Sequence, residues 1–212
     1  LMRLTLARTA DDGYDFLWTY HHILLDGWSQ PRLYHEVFSL YDGYVRGESI
    51  ALPPSPSYRD YIVWLKQQDL DAAEAYWRRT LESFTTPTPL AIPSAPDATE
   101  DPSGDELEIS LSAEMTDALR SFAGRQGLTL NTLVQGAWAL LLSRYSGEHD
   151  IVFGVTVSGR PADLPDSDAM VGLFINTLPL RVEVAEHATV RDWLKGLQAQ
   201  QGELHQYQYT PL

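Results

Sequence analysis

The sequence predicts an α/β fold, an α+β sandwich, in two lobes that a proline-rich linker separates. Segments that alternate like strands, or that are apolar throughout, are interspersed with segments of helical periodicity, as in lobes that pack helices against a sheet. Five prolines lie between residues 85 and 104, in a composition that disfavours helices and central strands. We therefore expect residues 1–84 in one lobe, residues 85–104 in the linker and residues 105–212 in the other lobe.

The first lobe is predicted to begin with two strands and to continue with helices. Residues 1–7 and 16–22 have strand-like content, and the Asp-Asp-Gly of residues 11–13 suits a hairpin turn. Apolar side chains recur at helical spacing over residues 33–47, where the final glycine is a stop signal, so we expect an amphipathic helix with a core-facing side. A helical pattern with one interruption returns over residues 57–81.

The second lobe is predicted to open with a strand and two helices. Residues 106–111 alternate like a strand, and Ser112 can cap a helix that ends near residue 127. A second helix is expected to be deeply buried through six apolar side chains: Leu130, Leu133, Val134, Ala137, Trp138 and Leu141.

Two further strands and a helix follow. Residues 151–157 are almost entirely apolar, which indicates a strand buried on both faces. A polar loop over residues 158–168 leads into a second apolar strand at 171–178. Thr189, with Asp192 three residues later, opens a final helix.

The composition indicates a folded protein and is compatible with the cytoplasmic location that we expect. Hydrophobic residues make up 44% of the sequence, and the formal net charge of −14 without a basic stripe argues against nucleic-acid binding. The absence of cysteine excludes a disulfide framework and a thiol nucleophile. No apolar run approaches the roughly 18 to 20 residues of a membrane span, and no charged leader with an apolar stretch is found, so we expect neither a membrane segment nor a signal peptide.

Residues 21–27, His-His-Ile-Leu-Leu-Asp-Gly, lie where a predicted strand gives way to the start of a helix. Because neighbouring side chains of a strand point to opposite faces, His21 and His22 cannot both face one cavity. One imidazole can act as a reagent, and the other must support it.

Three interpretations of this segment are open. A metal site of His21, His22 and Asp26 has poor geometry and no cysteine ligand nearby, so we predict no bound metal. The histidines can be ordinary core residues, but Asp26 and Gly27 then need a separate explanation. In the third interpretation one imidazole lines a cavity as a base at neutral pH, while Asp26 and Gly27 shape the turn.

These residues resemble a known family. His-His-x-x-x-Asp-Gly followed by Trp-Ser, at residues 21–29, is similar to the signature of condensation domains of nonribosomal peptide synthetases, in the chloramphenicol-acetyltransferase-like acyltransferase superfamily. Further segments match in the family's order, at residues 58–64, 150–161 and 171–181. Residues 205–206 resemble the start of its last common motif, but the residues after them depart from it.

The resemblance covers essentially the whole sequence, yet family members are about twice as long. It implies that residues 1–84 are the C-terminal part of the N-terminal lobe and that residues 105–212 are the first part of the C-terminal lobe. We interpret residue 1 as a cut or an ordering limit and expect the 212 residues alone to be inactive.

The resemblance implies a chloramphenicol-acetyltransferase-like two-lobe fold with a tunnel between the lobes. Donor and acceptor peptidyl carrier proteins would deliver thioesters on phosphopantetheine arms, and the amine of one would attack the thioester of the other to form a peptide bond. This chain itself would bind no cofactor. An adenylation domain is expected next to it, in a multidomain enzyme that makes an antibiotic or siderophore.

The resemblance also implies roles for the signature. His22 would face the tunnel and take a proton from the attacking amine or hold it in line, and His21 would be structural. Asp26 would pair with an arginine to fix the loop, either Arg160 or one outside this sequence. The amide of Gly27 could donate to the oxyanion; otherwise Gly27 is only a turn glycine.

Four other residues also receive predicted roles. Asn176 lies in an apolar strand and would orient the loop or substrate in the tunnel, or would be a purely structural amide. Ser158 and Arg160 can form a turn at the tunnel rim, although a solvated arginine fits equally well. Trp28 resembles the subtype that joins two L-configured residues.

Rival functions use the same sequence features. An inactive condensation-like domain could dock a tailoring enzyme or space its neighbours, although both histidines and Asn176 are intact. An epimerase relative would act on the α-proton of a carrier-bound residue. A free-standing acyltransferase would use coenzyme A in place of carrier proteins.

Overall fold

The computed structural model describes residues 1–90, 108–184 and 188–211. Its strands are β1 (Met2–Arg8), β2 (Tyr14–Tyr20), β3 (Asp150–Val157) and β4 (Asn176–Glu183). Its α-helices are α1 (Ser29–Arg46), α2 (Tyr58–Leu65), α3 (Leu70–Thr80), α4 (Ala113–Gln126), α5 (Leu130–Ser146) and α6 (Val190–His205). Short 3₁₀ helices span His22–Leu24 and Ser167–Ala169.

The described residues form two compact units. Unit 1 comprises Leu1–Leu70, Thr156–Thr177 and Gln208–Leu212, and unit 2 comprises Asp71–Val155 and Leu178–Tyr207. These boundaries differ from the predicted segments 1–84 and 105–212, because each unit is assembled from separate stretches of chain. The division into two family-like lobes stays a prediction. Of the predicted linker, residues 91–104 lie outside the described residues, and residues 85–90 form neither helix nor strand.

The N-terminal hairpin confirms that two strands open the chain, but β2 ends at Tyr20, so His21 and His22 lie outside the strand predicted over residues 16–22. β1 and β2 pair antiparallel in a register that sets Leu4 opposite Trp18 and Leu6 opposite Phe16. The turn closes through a hydrogen bond from the Thr9 amide to the Gly13 carbonyl. This register gathers apolar side chains on one face of the two-stranded sheet, because residues of one parity share a face.

The helices follow the predicted start and stop signals. Gly47 ends α1 with a φ of 70°, in the left-handed region that favours glycine. The side chains of Ser57, Ser112 and Thr189 accept hydrogen bonds from the first turns of α2, α4 and α6. The expected core packing of α1 is wrong for Val37, Tyr41 and Tyr44, which are 38%, 62% and 79% exposed.

The core of unit 1 is aromatic. Tyr61, Met170 and Phe174 are buried together, and the partly buried Tyr58 and Trp64 pack against them. The core therefore joins α2 to the chain segment that precedes β4, which is also the segment that contacts the His-His loop.

The predicted burial of α5 is wrong. Val134 and Trp138 are exposed, and the opposite face is buried instead, through Thr132, Gly136, Ala139, Leu142 and Ser143. A Cβ atom added to Gly136 would lie 2.5 Å from Leu194 Cδ2 of α6, which shows how closely the two helices approach. A helix that is apolar on most sides does not reveal by its period which side faces a neighbour.

Three strand predictions also need correction. Residues 108–111 form no strand, and residues 106–107 lie outside the described residues. The strand predicted at 171–178 begins only at Asn176 and continues to Glu183. β3 is not buried on both faces, since Gly154 and Thr156 are exposed. β3 and β4 pair in a two-stranded sheet.

Candidate active site

The His-His loop connects β2 to α1 by a single 3₁₀ turn, and all the candidate site residues belong to unit 1. The amide of His21 donates to the Leu1 carbonyl at 2.8 Å, which fixes the end of β2 against the start of β1. The amides of Leu24 and Leu25 then donate to the carbonyls of His21 and His22. The backbone of both histidines is therefore held by local hydrogen bonds.

The two imidazoles have different surroundings. Nδ1 of His21 accepts a hydrogen bond from the Ile23 amide at 3.1 Å, so His21 caps the 3₁₀ turn and a neutral ring carries its proton on Nε2. The ring of His22 is exposed and has no hydrogen-bond partner in the described part of the chain. The ring of His22 is thus available to a reactant, while that of His21 is used by the fold.

Asp26 is fully buried below the loop and accepts hydrogen bonds on both oxygens. Oδ1 accepts from the Ser29 amide at 2.9 Å and the Ser29 hydroxyl at 2.8 Å, and Oδ2 accepts from the Phe174 amide at 3.1 Å. Burial alone raises the pKa of Asp26, but these hydrogen bonds and the Arg160 guanidinium together hold it below its ordinary value. The carboxylate is therefore charged at neutral pH.

Arg160 is the arginine partner of Asp26, the alternative that the sequence left open. Nη2 lies 3.2 Å from Asp26 Oδ1, and the side chain of Arg160 is only 2% exposed. Nη1 donates to the carbonyls of Ser167 and Met170, and the guanidinium lies 4.1 Å from the centre of the Phe174 ring. The alternative of a solvated arginine is therefore wrong, because both terminal nitrogens are bound within the protein. The position of this turn at a tunnel rim stays a prediction.

The segment before β4 forms the other wall of this network. Gly172 exchanges hydrogen bonds with the loop: its carbonyl accepts from the Asp26 amide, and its amide donates to the Ser29 hydroxyl. The hydroxyl of Tyr58 donates to the Leu173 carbonyl, and burial raises the pKa of Tyr58, so the phenol keeps its proton. Ser29, Tyr58 and Gly172 were not among the predicted site residues.

Asn176 is held by backbone groups. Its Nδ2 donates to the carbonyls of Gln208 at 2.9 Å and Thr210 at 2.7 Å, and its Oδ1 accepts from the Thr177 amide at 2.9 Å. These contacts tie the segment after α6 to the start of β4. They match the structural alternative for Asn176, and its role towards a substrate stays a prediction.

Gly27 and its neighbours lie at the open side of the loop. Gly27 is exposed, its φ is not in the left-handed region, and beyond its chain neighbours no described atom lies within 4 Å of an added Cβ. The backbone conformation thus does not require a glycine there. Trp28 is 58% exposed beside it. Ser158 is half-buried, and its hydroxyl is 3.5 Å from the Arg160 amide.

The described ranges offer neither a metal cluster nor a membrane-spanning helix. Residues 1–90, 108–184 and 188–211 contain no group of three or more His, Cys, Asp or Glu side chains that could hold a metal ion. In the same ranges, no helix has the length and apolar character to cross a bilayer.

The family follows from a comparison over the whole length. The family model described as "Condensation domain" matches residues 1–212, and the chain therefore belongs to the condensation-domain family. Two linear gramicidin synthase proteins from Brevibacillus parabrevis are 52% and 50% identical to it. Each alignment covers 100% of this chain but only 4% and 3% of those proteins. The predicted resemblance is confirmed.

Solved structures confirm the chloramphenicol-acetyltransferase-like fold. The first condensation domain of the CDA synthetase matches with a TM-score of 0.76 at 19% identity, over 99% of this chain and 47% of that one. The X-domain in complex with OxyB from teicoplanin biosynthesis matches with a TM-score of 0.80 at 24% identity, over 100% of this chain and 48% of that one. The epimerization domain of the third module of tyrocidine synthetase B matches with a TM-score of 0.74 at 20% identity, over 94% of this chain and 46% of that one. The chain thus spans about half the length of these proteins.

Proposed function

We propose that this chain is part of a condensation domain that forms a peptide bond between two carrier-bound thioesters in nonribosomal peptide synthesis. The observation that carries the proposal is the exposed ring of His22 on a loop whose base is fixed by the buried Asp26–Arg160 pair. The family match and the similarity to linear gramicidin synthase subunits support the proposal.

The proposed reaction needs one proton to move. The acceptor's amine nitrogen attacks the carbonyl carbon of the donor thioester, the carbon–sulfur bond breaks, and the donor arm leaves as a thiol. The nitrogen loses a proton as the amide forms, and the thiolate gains one. A neutral imidazole within hydrogen-bond reach can take and return this proton, a contribution of about 10² to 10⁴-fold. We assign this role, or the holding of the amine in line, to His22.

The open space at Gly27 supports its proposed role. A reacting carbonyl needs hydrogen-bond donors where its negative charge develops, and a backbone amide without a side chain nearby can supply one. Gly27 has that space, and its backbone conformation gives no other reason for a glycine. We propose that its amide stabilises the oxyanion.

The partners and the subtype are part of the same proposal. Phosphopantetheine arms of donor and acceptor carrier proteins deliver the substrates, and an adenylation domain lies next to the condensation domain. Trp28, exposed directly after Gly27, fits the subtype that joins two L-configured residues. Because the chain spans about half of the solved relatives, we propose that the complete domain is the active unit.

A docking module is the second candidate. The solved relative that supports it is an X-domain in complex with OxyB, and its fold matches with a TM-score of 0.80. An exposed His22 is not needed for docking, so the reaction itself distinguishes the two functions. The match to an epimerization domain adds a third outcome, racemised product without condensation.

The test uses a complete condensation domain that contains this chain, with donor and acceptor carrier proteins loaded with L-aminoacyl groups. We expect dipeptide on the acceptor carrier, and a rate about 10² to 10⁴-fold lower for His22→Ala. The control is His35→Ala, which removes an exposed imidazole from α1. Equal rates of dipeptide formation by His22→Ala and the unchanged domain would refute the role of His22, and no dipeptide from either would favour docking.

A further inference from the structure

The buried hydroxyl of Ser29 stands at the junction of three chain segments. Ser29 is the first residue of α1 and is 1% exposed. Its Oγ lies 2.8 Å from Asp26 Oδ1, 3.1 Å from Arg160 Nη2, 3.1 Å from the Gly172 amide nitrogen and 3.0 Å from the Gly172 carbonyl oxygen. The loop, the turn after β3 and the segment before β4 therefore meet at one oxygen atom.

Every hydrogen-bonding position of this hydroxyl is in use. A serine oxygen has one proton to donate and two lone pairs that can accept. The Arg160 guanidinium and the Gly172 amide donate to the two lone pairs. The proton has two acceptors, of which the charged Asp26 oxygen is the nearer and the stronger. A side chain without a hydroxyl would remove one hydrogen bond from each of three buried groups, namely the Asp26 carboxylate, the Arg160 guanidinium and the Gly172 amide.

The contacts of Ser29 lead to the reactive part of the loop. Asp26 is bonded to Ser29 by its side chain and to the Gly172 carbonyl by its own amide. One residue beyond Asp26 is Gly27, and the amide of Leu25, just before Asp26, donates to the carbonyl of His22. The position of the imidazole and of the Gly27 amide thus depends on how Asp26 is held.

We infer that Ser29 is a positioning residue for the condensation reaction: its hydroxyl holds the Asp26 carboxylate against Arg160 and Gly172. It thereby sets where His22 meets the attacking amine and where the Gly27 amide meets the reacting carbonyl. This inference depends on the proposed function. Ser29 touches no substrate and moves no proton. Ser29 affects the rate of the chemical step, because a misplaced reacting group lowers kcat more than it weakens substrate binding.

The test compares Ser29→Ala with Ser143→Ala in a complete condensation domain that contains this chain. Ser143 is a matched control, because its side chain is also buried and its hydroxyl donates to the Glu148 carbonyl in unit 2. We expect Ser29→Ala to lower kcat for dipeptide formation by about 10- to 100-fold while KM for each loaded carrier stays within about twofold. Ser143→Ala should change neither constant, even where the two variants lose the same Tm.

A second measurement does not depend on activity. Hydrogen exchange of the amides of Asp26, Gly172 and Phe174 should become faster in Ser29→Ala and stay unchanged in Ser143→Ala, because those amides are bonded within the network. If Ser29→Ala does not fold, Ser29→Cys takes its place, since a thiol is a weak donor and acceptor of similar shape. For Ser29→Cys we expect the same decrease in kcat and the same faster hydrogen exchange.

The outcomes separate this inference from the function on which it rests. A kcat of Ser29→Ala equal to that of the unchanged domain overturns the positioning role, as does an equal loss of kcat in Ser143→Ala. Both results leave the condensation activity standing. An unchanged domain that forms no dipeptide overturns the proposed function, and with it the role of Ser29 in that reaction.

Discussion

The buried pair of Asp26 and Arg160 can be tested by replacing Arg160 with methionine. The side chains are 0% and 2% exposed, so solvent cannot take over the role of the missing charge. The Asp26 carboxylate would keep its hydrogen bonds from Ser29 and from the Phe174 amide. It would lose the positive partner that the network provides, and the carbonyls of Ser167 and Met170 would each lose one hydrogen bond.

The size of the effect follows from these contacts. Removing one partner of a buried ion pair costs about 3–5 kcal/mol, because a charge stays buried without compensation. Three hydrogen bonds remain on Asp26, and methionine keeps an unbranched side chain against the Phe174 ring. We therefore expect Arg160→Met to lower the free energy of unfolding by about 3 kcal/mol, at the lower end of that range.

A double variant makes the reasoning refutable. Asp26→Asn removes the charge that Arg160→Met leaves unpaired, so the two changes together should cost at least about 1 kcal/mol less than the sum of their separate costs. Urea unfolding of a complete condensation domain that contains this chain, followed by circular dichroism at pH 7, measures all three variants. Arg78→Met is the control, because Arg78 pairs with Glu74 on the exposed surface of α3.

Two results would contradict the argument. One is a cost of Arg160→Met below about 1 kcal/mol, since that is the range of surface pairs. The other is additivity of the two changes, which would mean that Asp26 and Arg160 do not stabilise each other.

Two further predictions concern pH and close packing. The folded-state pKa of Asp26 lies below its unfolded value, so the contribution of Asp26 to stability is present above about pH 4 and is lost as the pH falls through the folded pKa. In urea unfolding between about pH 2 and 6, the free energy of unfolding should fall less with decreasing pH in Asp26→Asn than in the unchanged protein. An equal dependence on pH in the two proteins would contradict this. A Cβ at Gly172 would lie 2.2 Å from the Tyr58 ring, so Gly172→Ala should lower the free energy of unfolding by about 1–3 kcal/mol. The control is Gly196→Ala on α6, which has open space around the added Cβ and should be neutral or stabilising. An equal Tm for Gly172→Ala and the unchanged protein in thermal unfolding would contradict the close contact.

Local signals made most of unit 1 predictable. The hairpin follows from strand-like content around a turn, and α1 begins and ends at its signals, since these depend on residues near one another in sequence. The partner of Asp26 was left open for the opposite reason. Asp26 and Arg160 are 134 residues apart, and no local pattern distinguishes a buried arginine from a solvated one.

The failures in unit 2 have a physical cause too. α5 packs on α6 through small and polar residues, and Thr132 bonds to Gln198 and Gln201 across that interface. A search for large apolar side chains selects the wrong side of such a helix. Ser29 was missed in the same way: as a helix-start residue it looks like an ordinary cap, and only the fold brings Gly172 and Arg160 to its hydroxyl.

The direction of the Asp26 carboxylate bears on the role that we propose for His22. In hydrolases of the Ser-His-Asp type, a carboxylate orients the imidazole and stabilises its charged form. Here both oxygens of Asp26 bind Ser29, Phe174 and Arg160, and none of the hydrogen bonds seen in the described residues joins Asp26 to His21 or His22. Within the described residues Asp26 therefore orients neither imidazole by a hydrogen bond, and we expect it to act on the proposed reaction through the backbone that it fixes.

This arrangement separates two classes of variant. A change at His22 removes the group that we propose to react and should leave the loop in place, because no hydrogen bond in the structurally described ranges uses its ring. A change at Asp26 or Arg160 moves the loop and lowers stability together with rate. A variant at Ser29 lies between these classes, since it loosens the network while the charged pair stays in place, and the ratio of its effects on kcat and Tm measures how much of the rate depends on position alone.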